Sequence, residues 1–91
     1  VRTIHKIVLN VVDDQWITIP KGSVILSVGE QREAICLWFG CETNEPELET
    51  RHISIFGTGN PIPDGPLGTF LGTVIAFGGA LVWHVFDRDD Q

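Results

Sequence analysis

Three histidines, two cysteines and a Gly-Thr-Gly-Asn tetrapeptide are the residues of this 91-residue chain best equipped for chemistry. His5, His52 and His84 are its only imidazoles. His52 and His84 fall in apolar stretches that read as strands, so their rings can approach one another across a sheet. A metal site would still need a third ligand from Asp, Glu or Cys. Without one, each ring reads as a hydrogen-bonded structural histidine. Cys36 and Cys41 match neither a zinc knuckle nor a secreted disulfide framework. Cys36 sits among apolar residues, where a thiol packs as a small hydrophobe, and such cysteine usage fits a reducing cytoplasm. No serine or cysteine stands on a nucleophile elbow, and no paired-carboxylate setting is recognisable. The expectation is a protein that is not an enzyme and uses no metal or cofactor.

Gly57-Thr58-Gly59-Asn60 follows an apolar run, as phosphate-binding loops do. It lacks the third glycine of a dinucleotide fingerprint and the Gly-Lys-Ser/Thr of a P-loop. Pro61 and Pro63 come next, so no helix begins there to present its amides to an anion. A sharp turn leaving a strand is the simpler reading. The functional one is a backbone nest in which Gly57, Thr58, Gly59 and Asn60 hold an anionic or nucleotide-like ligand at a subunit interface.

The net charge of −6 comes largely from Glu42, Glu45, Glu47 and Glu49, with Asp87, Asp89 and Asp90 near the end. The six Lys and Arg residues are scattered, which excludes direct nucleic-acid binding through a basic patch. An acidic run is ordinarily a solvated face. It can also imitate the spacing of phosphates and occupy a basic groove of a partner. In residues 81–86, alternation sends Leu81, Trp83 and Val85 to one side and Val82, His84 and Phe86 to the other. Both sides are partly apolar, as in a strand covered on one face by the core and on the other by a helix or a second subunit. Trp83 and Phe86 are therefore candidate partner-binding aromatics as well as core residues.

The elements that must position these groups are strands. Residues 3–12 are rich in Ile and Val. Residues 15–19 alternate, with Trp16 and Thr18 on one face and Ile17 and Ile19 on the other. Pro20-Lys21-Gly22 breaks this run, and 23–28 and 33–39 form a hairpin, with Val24, Leu26 and Val28 on one face of its first strand. Residues 40–49 read as a loop or one helical turn capped by Asn44. A strand at 51–56, a long loop at 57–66 and a hairpin of 68–77 with 80–87 complete the chain, the last turning at Gly78-Gly79. The predicted fold is a single domain over residues 1–91, mainly β: a small antiparallel sheet or barrel of about six to seven strands with at most one short helical turn.

The uncharged stretch 65–86 is long enough to span a bilayer as a helix. Its composition opposes that. Gly65, Gly68, Gly72, Gly78 and Gly79 each cost a helix about 1 kcal/mol relative to alanine, and acidic residues rather than basic anchors flank the run. No membrane span is expected, and the N-terminal residues show no signal-peptide pattern.

Ile19-Pro20-Lys21-Gly22, Val24-Ile25-Leu26-Ser27-Val28, Cys36-Leu37-Trp38, Gly57-Thr58-Gly59-Asn60-Pro61-Ile62-Pro63, Leu71-Gly72-Thr73-Val74 and Leu81-Val82-Trp83-His84-Val85-Phe86 occur in this order. Together they resemble a family of small proteins of tailed bacteriophages and prophages. The Gly-Thr-Gly and Val-Trp-His-Val-Phe pieces carry most of the likeness. The residue after Gly-Thr-Gly is commonly histidine in that family and is Asn60 here, so no imidazole role passes to that position. The resemblance implies a phage origin and a compact β-rich domain in the host-cell cytoplasm, and no established activity. Small acidic phage proteins often block host defence by binding. The expected function is thus a non-enzymatic, anti-CRISPR-like binder whose partner is a host defence protein or complex. Alternatives are a homo-oligomeric pocket protein that sequesters a nucleotide-like signal, and a structural or assembly component of the phage.

Overall fold

The computed structural model describes residues 1–88, so Asp89 and Asp90 lie outside the described residues. Seven strands follow one another: β1 (Arg2–Leu9), β2 (Gln15–Pro20), β3 (Val24–Gln31), β4 (Ala34–Glu42), β5 (Leu48–Gly57), β6 (Thr69–Ala76) and β7 (Leu81–Asp87). One 3-10 turn, Phe77–Gly79, is the only helical element among the described residues. The strands form two antiparallel sheets, ordered β1-β4-β3 and β2-β5-β7-β6. These do not close into a barrel. Ile35, Leu37 and Phe39 of the first sheet meet Ile17, Ile19, Ile53, Ile55, Val74 and Val85 of the second in one buried cluster. Alternation supplies this layer: along β2, Ile17 and Ile19 are buried while Trp16 between them and the turn is 63% exposed.

The two sheets approach along β3 and β6. A Cβ on Gly72 would fall 2.8 Å from Val28 Cγ2, so only hydrogen fits there. Each strand also carries an irregularity in its pairing, between Ile25 and Ser27 in β3 and between Phe70 and Gly72 in β6. Such bulges increase twist and bend an edge. The bulge in β3 overturns the simple alternation expected there: Val28 packs on the core, but Val24 and Leu26 are exposed.

Three local expectations are corrected in their bounds. The β6–β7 pairing forms, but Ala76 pairs with Leu81, so the connection is Phe77 to Ala80 rather than a two-residue Gly-Gly turn. The β3–β4 hairpin does turn on two residues, and they are Arg32 and Glu33, at φ 52° and 65°. Of the loop or single helical turn expected at 40–49, the loop forms and is shorter: β4 runs on to Glu42 and β5 already begins at Leu48. No helix among the described residues is long and apolar enough to cross a membrane.

Candidate functional site

Because β7 lies between β5 and β6 in the sheet, the chain leaving β5 must cross β7 to begin β6. Residues 58–68 cross on the side away from the core, as a strap. Under it lies a cleft of about 280 Å³, walled by Ile62 and Leu67 of the strap and by Phe56, His84 and Phe86 of the sheet. Pro61, Pro63 and Pro66 stiffen the strap by fixing φ. Gly59, at φ 89°, takes the left-handed turn that starts it. The second face of β7 is thus covered by the chain's own strap, where a helix or a second subunit was expected.

His84 ties the strap down. It stands opposite Phe56 on β5 and Thr73 on β6. Its Nε2 shares a hydrogen bond with Thr58 Oγ1 of the strap at 2.7 Å, and its Nδ1 shares one with Thr73 Oγ1 at 3.1 Å. Beside it, the Phe86 ring contacts those of Phe56 and Phe70, with centroids 6.0 and 5.3 Å apart.

Gly57 and Asn60 also border two neighbouring clefts of about 250 and 210 Å³, both flanked by Trp83. Gly57 admits no side chain: a Cβ would lie 2.9 Å from both Asn60 Nδ2 and the Trp83 ring. The Thr58 N–H donates to the Val82 carbonyl and the Asn60 N–H to that of Gly57. Two donors that an anion nest would need are therefore already engaged. Phe86 reaches the strap cleft, whereas Trp83 packs against the core.

The acidic candidates lie elsewhere. Leu48 and Gly57 are the two ends of β5, about 30 Å apart at a strand's rise per residue. Glu49 and the loop carrying Glu45 and Glu47 belong to the Leu48 end. Most of these carboxylates are engaged within the chain. Glu42 accepts from the Val1 nitrogen, Glu47 meets Lys21 Nζ at 3.0 Å, and Glu45 accepts the Glu47 N–H. Arg51 bridges Glu49 (Nε to Oε2, 3.0 Å) and Asp87 (Nη1 to Oδ2, 2.9 Å) and donates from Nη2 to the Ser23 carbonyl. The Arg51 guanidinium holds the Glu49 carboxyl below the usual range.

A family model described as a domain of unknown function (DUF7352) matches residues 1–91. The chain belongs to that family. No curated protein and no solved structure matches it.

One further cluster of this DUF7352 chain was not foreseen. The Asp14 Oδ1 accepts from His52 Nε2 at 2.7 Å and from the Ser54 hydroxyl at 3.1 Å, and Arg88 Nη1 donates to Ser54 Oγ. Trp16 stacks on His52 with ring centroids 4.6 Å apart. The hydrogen bond from His52 lowers the Asp14 pKa. The set contains a hydroxyl, an imidazole and a carboxylate, but not in catalytic order. Ser54 is fully buried, and His52 reaches Asp14 rather than Ser54. The signal was the i, i+2 spacing of His52 and Ser54 on one strand face; Asp14 joins them only through β2–β5 pairing. His52 and His84 do not meet, being four positions apart along the sheet. Among the described residues no group of His, Cys, Asp and Glu could hold a metal ion.

Proposed function

We propose that this protein is a non-enzymatic binding protein of phage type that engages a host defence protein or complex in the host cytoplasm. The contact surface is the outer side of the β2-β5-β7-β6 sheet, centred on the strap. One observation carries this reading. In a chain of net charge −6, the strand residues that pair across that side are Trp16, Thr18, Thr50, His52, Ser54, Phe56, Val82, His84, Phe86, Phe70, Thr73 and Ile75, none of them Asp, Glu, Lys or Arg. Trp16, Phe70 and Ile75 are more than half exposed. Asp14 and Arg88 reach His52 and Ser54 on this side, so it is not one apolar patch; its exposed aromatic side chains are the kind of anchor a protein contact uses. The acidic set supports the reading less, because so many of its members are satisfied by cations of the same chain.

The test is capture of a host defence complex by the tagged protein at low and high salt. Capture that survives high salt and is lost in Trp16→Ala and Phe70→Ala supports an apolar contact. Capture unaffected by both substitutions, or no capture at any salt, refutes it. A second reading, a pocket protein sequestering a small nucleotide-like molecule, is favoured by the strap cleft. It requires a self-associated protein in light scattering and a melting temperature raised by the bound molecule.

A further inference from the structure

We infer that the cleft beneath the strap receives an uncharged aromatic ring with one hydrogen-bonding edge, and not a phosphate. The inference rests on the strap being a contact site and specifies what enters it. Size sets the first limit: about 280 Å³ is at the small end of ligand pockets, room for one ring system and not for a dinucleotide. Lining chemistry sets the second. Phe56, Phe86, Ile62 and Leu67 make apolar walls, and no Lys, Arg, Asp or Glu lines the cleft. An anion there would lose its hydration without a cation in return. Two of the loop's backbone donors are also spent, the Thr58 and Asn60 N–H groups being bonded to the Val82 and Gly57 carbonyls.

What the cleft does offer is a ring-stacking wall and a polar edge. The Phe86 ring already takes tilted partners in Phe56 and Phe70, the geometry in which aromatic pairs attract. The polar edge is the Thr58 hydroxyl, which keeps bonding capacity beyond its bond to His84 Nε2, with the Asn60 side-chain amide beside it. The hydroxyl and the amide are uncharged donors and acceptors, suited to an N–H, an O–H or a ring nitrogen. Such a ring is carried both by free nucleobases and by the Trp or Tyr side chain of a protein partner.

The experiment is a titration of the whole isotope-labelled chain, followed by amide NMR shifts, with indole, p-cresol, adenine and inorganic phosphate as separate probes. Saturable shifts at Thr58, Gly59, Ile62 and His84 are expected with at least one ring probe, with dissociation constants of about 1–10 mM for fragments of this size. Phosphate should leave those amides unmoved. Tighter binding of adenine assigns the site to free bases, and tighter binding of indole or p-cresol to a partner's side chain; both support the inference. Leu67→Trp, which fills the cleft, should abolish the shifts. Ile62→Ala, at a strap position 54% exposed, should weaken binding several-fold. The inference is overturned if no ring probe shifts these amides, if the shifts centre on Trp16 instead, or if phosphate acts as strongly. None of these arms needs the host partner. Ring binding without capture from host cells would therefore remove the proposed function and leave this site standing.

Discussion

Replacing Arg51 should be among the most damaging single changes outside the apolar core. Its guanidinium lies where β5 meets β7 and the turn into β3, and it serves Glu49, Asp87 and the Ser23 carbonyl at once. Glu49 in turn accepts the Gly22 N–H at 2.6 Å, and Ser23 is itself buried. Arg51→Met keeps much of the packing and removes the charge, so two carboxylates lose their shared cation. Breaking a fully buried pair costs about 3–5 kcal/mol. Here the side chains of Arg51, Glu49 and Asp87 are 21%, 30% and 13% exposed, and water offsets part of the loss, so we expect about 2–4 kcal/mol. A domain of this length has a total of roughly 5–14 kcal/mol. A loss near the middle of the range lowers the melting temperature by about 12–24 °C. The assay is thermal and urea denaturation followed by circular dichroism, with the urea midpoint falling and the slope unchanged. Arg51→Lys should recover only part of the loss, because an ammonium cannot present the planar fork. In a double-mutant cycle, Arg51→Met with Asp87→Asn should show a coupling of about 1–3 kcal/mol. A fall in melting temperature below about 4 °C for Arg51→Met, equivalent to 1 kcal/mol or less, would refute the reasoning.

Gly57→Ala should cost about 1–3 kcal/mol by driving a methyl group against Trp83 and Asn60, read by denaturation and by a shift in tryptophan emission. Arg32→Asn should stabilise by about 0.5–1 kcal/mol, since asparagine tolerates the left-handed backbone that arginine holds at φ 52°; an unchanged or lower urea midpoint would contradict this. Asp14 and Glu49 have folded pKa values below their ordinary ones, held down by the His52 and Arg51 hydrogen bonds, so on acidification the unfolded chain takes up protons first. The stability they contribute is complete above about pH 5 and is lost as the pH falls through their folded values, and His52→Gln should make urea midpoints between pH 3 and 5 less steep in pH.

Much of the architecture was legible because strands in a small two-layer fold declare their inward faces by alternation. Ile17 and Ile19 against Trp16 and Thr18 is the clearest case, and the β3–β4 hairpin followed from the apolar runs on either side of its turn. Its turn residues did not. Arg32 and Glu33 lack the glycine or asparagine that marks positive φ, and they are held by contacts that no local rule contains: the Glu33 N–H donates to Glu30, and the Glu33 carboxylate accepts the Phe77 N–H. The length of β5 was hidden for a similar reason. Glu49 looks like a loop residue, yet it meets Arg51, the first residue of the strand expected at 51–56, and the strand begins already at Leu48. In the candidate site, Gly57 to Asn60 was found as a loop, and Phe86 and His84 as neighbours on one strand face. That the loop lies across those two side chains depends on strand order, which short-range patterns do not encode.

That strand order also constrains how the molecule comes together. β4 enters between β1 and β3, both already synthesised, and can complete its sheet as soon as it emerges. In the larger sheet, β2 has no partner until β5 appears, and β5 and β6 have no shared edge until β7 arrives after both. The larger sheet is therefore complete only with its latest strand, which takes its place between β5 and β6. Non-local pairing of this kind is slow, and until it is complete the edges of β5 and β6 stand open to any other extended chain.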